Sequence, residues 1–245
     1  MEQQNQQNKI FTKQFISLFF TNMAIFFVFY GLITTLPLYA IGVLGKSDDD
    51  SGLLVTVFLL SAIIVRPFSG KLLDIFGKKR LLIVSLAFYL VCTVLYIFFK
   101  PFILLLALRF FQGIWFSIAT TAAGSLAADI IPARRKGTGL GYFAMSTNLA
   151  VVFGPFIGLI IIQYASYNVL FIVLSVFILA GGLLALTIPV KENEITTVQG
   201  SRFKFSFNDL FEKKALPLAA IACLVAFSYA SILSFLSIYA EEQNL

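Results

Sequence analysis

Pro101 to Gly124 reads PFILLLALRFFQGIWFSIATTAAG, twenty-four residues in which Arg109 is the only charge. As a helix rising 1.5 Å per residue, it is about 36 Å long, enough to cross a hydrocarbon core about 30 Å thick. Six further runs resemble it in length: Phe15 to Ile41, Ser51 to Gly70, Leu81 to Phe99, Gly137 to Gln163, Asn168 to Ile188 and Leu216 to Ala240. The separators are short and carry the breakers and charges, such as Gly45 to Asp50, Gly77 to Arg80 and Pro132 to Lys136. The pattern predicts an all-α, polytopic membrane protein. Its expected parts are a tail over 1–14, a six-span bundle over 15–189, a linker over 190–215 and one further span over 216–245.

Composition agrees. Of 245 residues, 59% are apolar and 12% charged, where a soluble domain carries roughly 25% charged residues. There is no histidine, and the two cysteines, Cys92 and Cys223, lie inside apolar runs. A disulfide framework, a His-based metal site and a Ser-His-Asp triad are therefore excluded. No cofactor is expected. The N-terminal MEQQNQQNK lacks the basic region and cleavage site of a signal peptide, so the first run reads as a retained span.

The net charge of +6 has a topological meaning. Of the 18 Lys and Arg residues, 14 fall on one side of the expected spans: the tail, the second-to-third and fourth-to-fifth connections, and the long linker. Lys46 and Lys100 occupy the other side, with Asp48, Asp49 and Asp50. Positive residues accumulate in cytoplasmic loops, which predicts a cytoplasmic N-terminus. The same distribution removes nucleic acid as a partner and leaves membrane lipid as one, through anionic headgroups.

Polar residues inside the spans mark candidate functional positions. Arg109, Gly113, Ser117 and Thr121 recur at intervals of four and share a face, with Gln112 and Thr120 beside it. An intramembrane arginine either faces a cavity or partner, or reaches outward to neighbouring carbonyls and the interface. In the first span Asn22, Phe26, Tyr30 and Thr34 form a polar-aromatic face suited equally to an amphiphilic ligand or to helix packing. Pro37 is expected to bend or end that helix. The fifth span carries Asn148, then Ala150, Gly154 and Gly158 at spacing four, with Pro155 inside. Small residues allow close helix approach, and proline leaves a carbonyl without its usual partner. No Asp or Glu lies at mid-depth, so the spans show no central proton-binding carboxylate of their own.

After the second span comes Gly70-Lys71-Leu72-Leu73-Asp74-Ile75-Phe76-Gly77-Lys78-Lys79-Arg80, preceded by Arg66-Pro67-Phe68-Ser69. This resembles the cytoplasmic signature of the major facilitator superfamily. Arg109-Phe110-Phe111-Gln112-Gly113 resembles its fourth-span motif. Gly141 to Gly158, with the core Gly154-Pro155-Phe156-Ile157-Gly158, resembles the fifth-span antiporter motif. Asp129, Pro132, Arg135 and Gly137 look like its fourth-to-fifth loop. Ala150 and Leu159 stand where that antiporter motif commonly has glycine, and no acid is found near Asn22 or Tyr30.

The resemblance implies an N-terminal six-helix bundle plus the first helix of a second bundle, with the remaining spans of a C-terminal half missing beyond Leu245. It implies a bacterial inner-membrane secondary transporter resembling drug/proton antiporters, with a small-molecule substrate and protons as coupling ion, and no enzyme. Arg109 resembles the buried arginine linked to proton coupling. Asp74 would gate, with Arg135 or Arg134 as its basic partner. Gly70 would permit close approach and Gly77 a tight turn, while Gly154, Pro155 and Gly158 would shape a moving helix. Lys78, Lys79 and Arg80 either join the gate or only anchor topology. Gln112 and Asn148 are expected to orient the solute, beside Asn22 and Tyr30. Competing readings are an importer or uniporter of a sugar or organic anion, and a non-transporting seven-span receptor or interaction protein.

Overall fold

A computed structural model describes residues 10–189, 217 and 219–228. The chain divides into two compact units, 1–197 and 198–245. The first holds six helices: α1 (Lys13–Gly42), α2 (Asp48–Phe76), α3 (Lys78–Leu95), α4 (Phe102–Ile130), α5 (Lys136–Tyr164) and α6 (Tyr167–Leu186), with a 3-10 turn at Ala133–Arg135. In the second, Ala219–Ser228 forms a short apolar helix, α7. The rest of the expected seventh span, and the whole linker over 190–215, lie outside the described residues. No strand occurs among the described residues.

Local chemistry sets the ends. The Thr12 hydroxyl accepts the Phe15 amide at 3.2 Å to start α1, and the Ser47 hydroxyl accepts that of Asp50 at 3.2 Å to start α2. Asp48, Asp49 and Asp50 complement the positive end of α2. Pro37 lies inside α1, which continues to Gly42. The helix therefore does not stop at that proline. The second span was expected to end at Gly70, but α2 continues to Phe76, so Gly70 and Asp74 are helical. Gly77 ends it with φ +83°, a backbone region that disfavours side chains. The third span was expected to reach Phe99, but α3 stops at Leu95. Amides of Ile97 and Phe98 bond back to Val94 and Leu95, tightening the last turn before Lys100-Pro101.

Among the described residues, α1, α2, α4, α5 (with its preceding turn) and α6 are long and apolar enough to cross a membrane. The shorter α3 begins on Lys78, Lys79 and Arg80. The helices form two interlocked triplets: α1 packs chiefly on α5 and α6, and α4 chiefly on α2 and α3. Contacts in register show alternating direction. Asn22 meets Ser146, Gly31 meets Gly154 and Thr35 meets Gly158, so α1 and α5 run parallel. Thr21 bonds the Gly181 carbonyl and Ser17 bonds Thr187, so α6 runs back along α1.

Close helix crossings rest on small residues. A Cβ at Gly154 would lie 3.1 Å from the Phe27 carbonyl oxygen and 3.1 Å from the Tyr30 Cβ. At Gly113 it would overlap the Ser61 hydroxyl and the Phe58 carbonyl oxygen, which brings α2 directly onto α4. Ala150, Gly154 and Gly158 are all buried along α1, as a close-packing ridge requires. Burial is uneven: 56% of the spanning window of α1 and 50% of that of α4 is enclosed, against 22% for α2 and for α5. α1 and α4 are thus the inner helices of this bundle, and α2 and α5 its flanks.

Candidate functional site

Arg109 lies seven residues into α4, about 10 Å along the helix from its start. Gly113, one turn on, lets α2 approach, and this brings the Phe58 ring over the guanidinium at 5.0 Å. Arg109 is 1% exposed. Its Nη1 donates to Gln112 Oε1 at 3.2 Å, whereas Nε is buried without a partner. The ion pair of Lys78 with Asp129 lies elsewhere, and Arg109 is held by an amide oxygen and a ring face. Removing an arginine from water costs several kcal/mol unless it is compensated. This buried positive charge with spare donors is the feature that sets the site apart.

Gln112 is completely buried and bonds through both ends of its amide. The Tyr96 hydroxyl donates to Oε1 at 2.9 Å, and Nε2 donates to Thr93 Oγ1 at 3.1 Å. Thr93 in turn donates to the Tyr89 carbonyl at 2.8 Å. From Phe58 an aromatic cluster leads to the half-exposed face of α1. Phe58 neighbours Phe29 and Phe116 at 5.2 and 5.3 Å, Phe116 neighbours Phe26 at 5.4 Å, and Phe26 stacks with Tyr30 at 6.2 Å. Arg109 and Tyr30 therefore belong to one connected assembly on α1, α2 and α4.

The structure separates other expected partners. Asn22 is buried, and its amide donates to Ser146 at 2.7 Å and Thr147 at 3.2 Å, tying α1 to α5. Asn148, one residue further on, is exposed on a different face and does not join that contact. Pro155 is half-buried one residue beyond the Gly154 crossing. Gly70 faces open space, so it makes no close approach within the bundle.

The expected pair of Asp74 with Arg135 or Arg134 is not formed. All three are exposed, and the α2 to α3 corner is held differently. Lys78 pairs with Asp129 at the end of α4 at 2.6 Å, while Lys79 donates to the Leu186 carbonyl at the end of α6 at 3.3 Å. A lysine at a helix C-terminus satisfies a free carbonyl and opposes the dipole. The corner has a positive-φ glycine immediately before Lys78, which aims these two lysines at neighbouring helix ends. Arg80 is exposed.

Sequence reasoning named none of Tyr89, Thr93, Tyr96 and Phe58. Tyr89, Thr93 and Tyr96 recur at i, i+4 and i+7 along α3 and its C-cap, a hydrogen-bonding stripe on an apolar helix, and that spacing was the available signal. Among the described residues no group of His, Cys, Asp or Glu could hold a metal ion.

Six helices in two interlocked triplets, five of them long and apolar enough to cross a membrane, define a multi-pass membrane protein. The chain belongs to the Major Facilitator Superfamily, whose family pattern matches residues 18–245. It is 34% identical over 149 residues to the quinolone resistance protein NorA of Staphylococcus aureus, covering 60% of this chain and 37% of that protein. It is 36% identical over 115 residues to the uncharacterized MFS-type transporter MJ1560 of Methanocaldococcus jannaschii, covering 47% of this chain and 30% of that one. Among solved structures it superposes on a POT family transporter in complex with 5-aminolevulinic acid with a TM-score of 0.67 and 16% identity, covering 95% of this chain and 49% of that one. A peptide transporter POT in complex with sulfate gives a TM-score of 0.65 at 18% identity, covering 93% and 48%. The chain thus spans about a third of the curated relatives it matches and half of the solved ones. The structural likeness carries the fold.

Proposed function

We propose that the chain forms the first bundle of a secondary active transporter that exports a small amphiphilic molecule in exchange for protons by alternating access. The observation that carries this reading is Arg109: a buried guanidinium with an unpartnered Nε, linked through Phe58 to the aromatic face of α1. Such a group stabilises an anion or a transiently ionised acid that arrives from outside the bundle, the behaviour a coupling residue needs. Similarity to a quinolone resistance protein supports export and suggests a quinolone as the test solute. Tyr30 and Phe26 contribute apolar contact. Gln112 acts by holding Arg109, since its amide is spent within the protein.

A second bundle completes the pathway. Arg66, Gly70 and Asp74, at spacing four, are all exposed on α2. A membrane helix does not turn such charges to lipid. This face, with the equally uncovered α5 carrying Asn148, is where the second bundle docks and where Asp74 gates. The end bearing Lys78, Arg80 and Arg135 faces the cytoplasm, as does the N-terminus, and the host membrane is a bacterial cell membrane.

The test is efflux of a quinolone, norfloxacin, from energised right-side-out vesicles carrying the full-length protein. Outward movement that collapses with an uncoupler is expected. Uptake of solute down its own gradient, insensitive to the uncoupler, would establish an importer or uniporter instead.

A further inference from the structure

We propose that Thr93 of α3 and Tyr96, the residue that caps it, are positioning residues for Arg109, acting through Gln112. The inference rests on the transporter reading for its consequence in flux, while its geometry stands apart from that reading. Hydrogen-bond polarity is the argument. Arginine only donates, so the group facing Nη1 must be the carbonyl oxygen of Gln112. The Thr93 hydroxyl has one proton, and it is given to the Tyr89 carbonyl at 2.8 Å. Thr93 therefore presents only lone pairs to Gln112 and accepts from Nε2 at 3.1 Å. That acceptance fixes which end of the amide points toward Arg109. Tyr96 donates to the same oxygen at 2.9 Å, clamping it from the α3 side.

All three side chains, Thr93, Tyr96 and Gln112, are buried at 1% exposure or less, so water does not take over these bonds. With Thr93 unable to accept, the amide loses the contact that selects its orientation. The flipped amide would turn its NH2 toward a guanidinium, and two donors facing each other in a buried site is unfavourable. Arg109 would then leave its place over Phe58. The sequence at 93 and 96 thus sets the direction in which the free donors of Arg109 point.

The experiment compares Thr93→Val, Thr93→Ser and Tyr96→Phe in the full-length protein. Two readouts are used: 15N spectra of the Arg109 guanidinium, assigned by its loss in Arg109→Lys, and norfloxacin-driven proton exchange in liposomes. Trp115 stacks on Phe88 at 4.3 Å, and its emission, taken as the difference from a Trp115→Phe protein, reports α3–α4 packing. Thr93→Val is expected to speed rotation of the guanidinium and to lower the exchange rate about tenfold or more. KM should stay within about twofold and the Trp115 emission unchanged. Thr93→Ser, which keeps the hydroxyl, restores both readouts. Tyr96→Phe shows the same effects in smaller measure, and it carries the test alone if Thr93→Val does not fold.

Unaltered guanidinium spectra in Thr93→Val and Tyr96→Phe would overturn the positioning claim. So would a Thr93→Ser protein as impaired as Thr93→Val, or a matching shift of Trp115 emission. If wild-type protein shows no exchange while the spectra respond as expected, the transporter reading fails and the clamp stands.

Discussion

At Gly113 a single hydrogen in place of a methyl decides whether α2 reaches α4. A Cβ there would overlap both the Ser61 hydroxyl and the Phe58 carbonyl, and neither belongs to a long flexible side chain that can swing aside. Gly113→Ala is therefore expected to destabilise the bundle by about 1–3 kcal/mol, a cost in the range of overpacked cores. The fall in melting temperature of the detergent-solubilised protein measures it. Gly70→Ala has open space around the new methyl. It should leave stability within about 1 kcal/mol of wild type, in the helix-favouring direction. If the α2 face receives a second bundle, efflux falls in this variant although its melting does not. Normal efflux from Gly70→Ala would remove Gly70 from the proposed docking face. Arg109 supplies the third contrast. Arg109→Ala abolishes the positive charge and should eliminate proton-coupled exchange in liposomes; coupled exchange at the wild-type rate would end its assignment.

The turn between α2 and α3 behaves as a bracket on two other helix ends. Its ion pair, Lys78 with Asp129, is a surface contact with side chains 33% and 55% exposed, so it is worth less than about 1 kcal/mol. Asp129→Asn should hardly alter melting, yet it frees the corner of α2 from the end of α4. The expected outcome is reduced efflux, recovered at least in part when Lys78→Asp is combined with Asp129→Lys. Failure of the exchanged pair to recover any activity would confine the bridge to anchoring. Across the same end, Gln14 donates to the Pro189 carbonyl at 3.2 Å and Lys79 to that of Leu186, so α1, α3 and α6 are tied where the chain leaves the bundle. These ties give Lys78 and Lys79 packing duties at that end.

Across the bundle as a whole, alternation of helix direction places Lys71, Lys78, Lys79, Arg80 and Arg134 to Lys136 at one end, and Lys46 with Asp48 to Asp50 at the other. In a cysteine-free background, Lys46→Cys is expected to react with a membrane-impermeant maleimide on intact cells. Lys136→Cys should react only after permeabilisation. Labelling of Lys136→Cys from outside would invert the proposed orientation. Interlocking of the two triplets also makes a structural demand: α1 finds its partners in α5 and α6, more than one hundred residues later in the chain. For α1, neighbours in sequence are thus not the main neighbours in space.

The apolar helices, six of them in the first unit, and the segregation of basic residues were legible from the order of residues, because transfer of an apolar run into hydrocarbon is a local property of that run. The ridge of Ala150, Gly154 and Gly158 was legible for a similar reason, since helical spacing puts its members on one face. Which helix that ridge meets was not, and neither were the burial of Asn22 against Ser146, the Lys78–Asp129 bridge or the Thr93–Gln112–Tyr96 clamp on Arg109. Each of these joins residues from different helices. Their pairing follows from which faces meet when six helices pack together, and in hydrocarbon that choice turns on steric fit and hydrogen bonds between specific side chains.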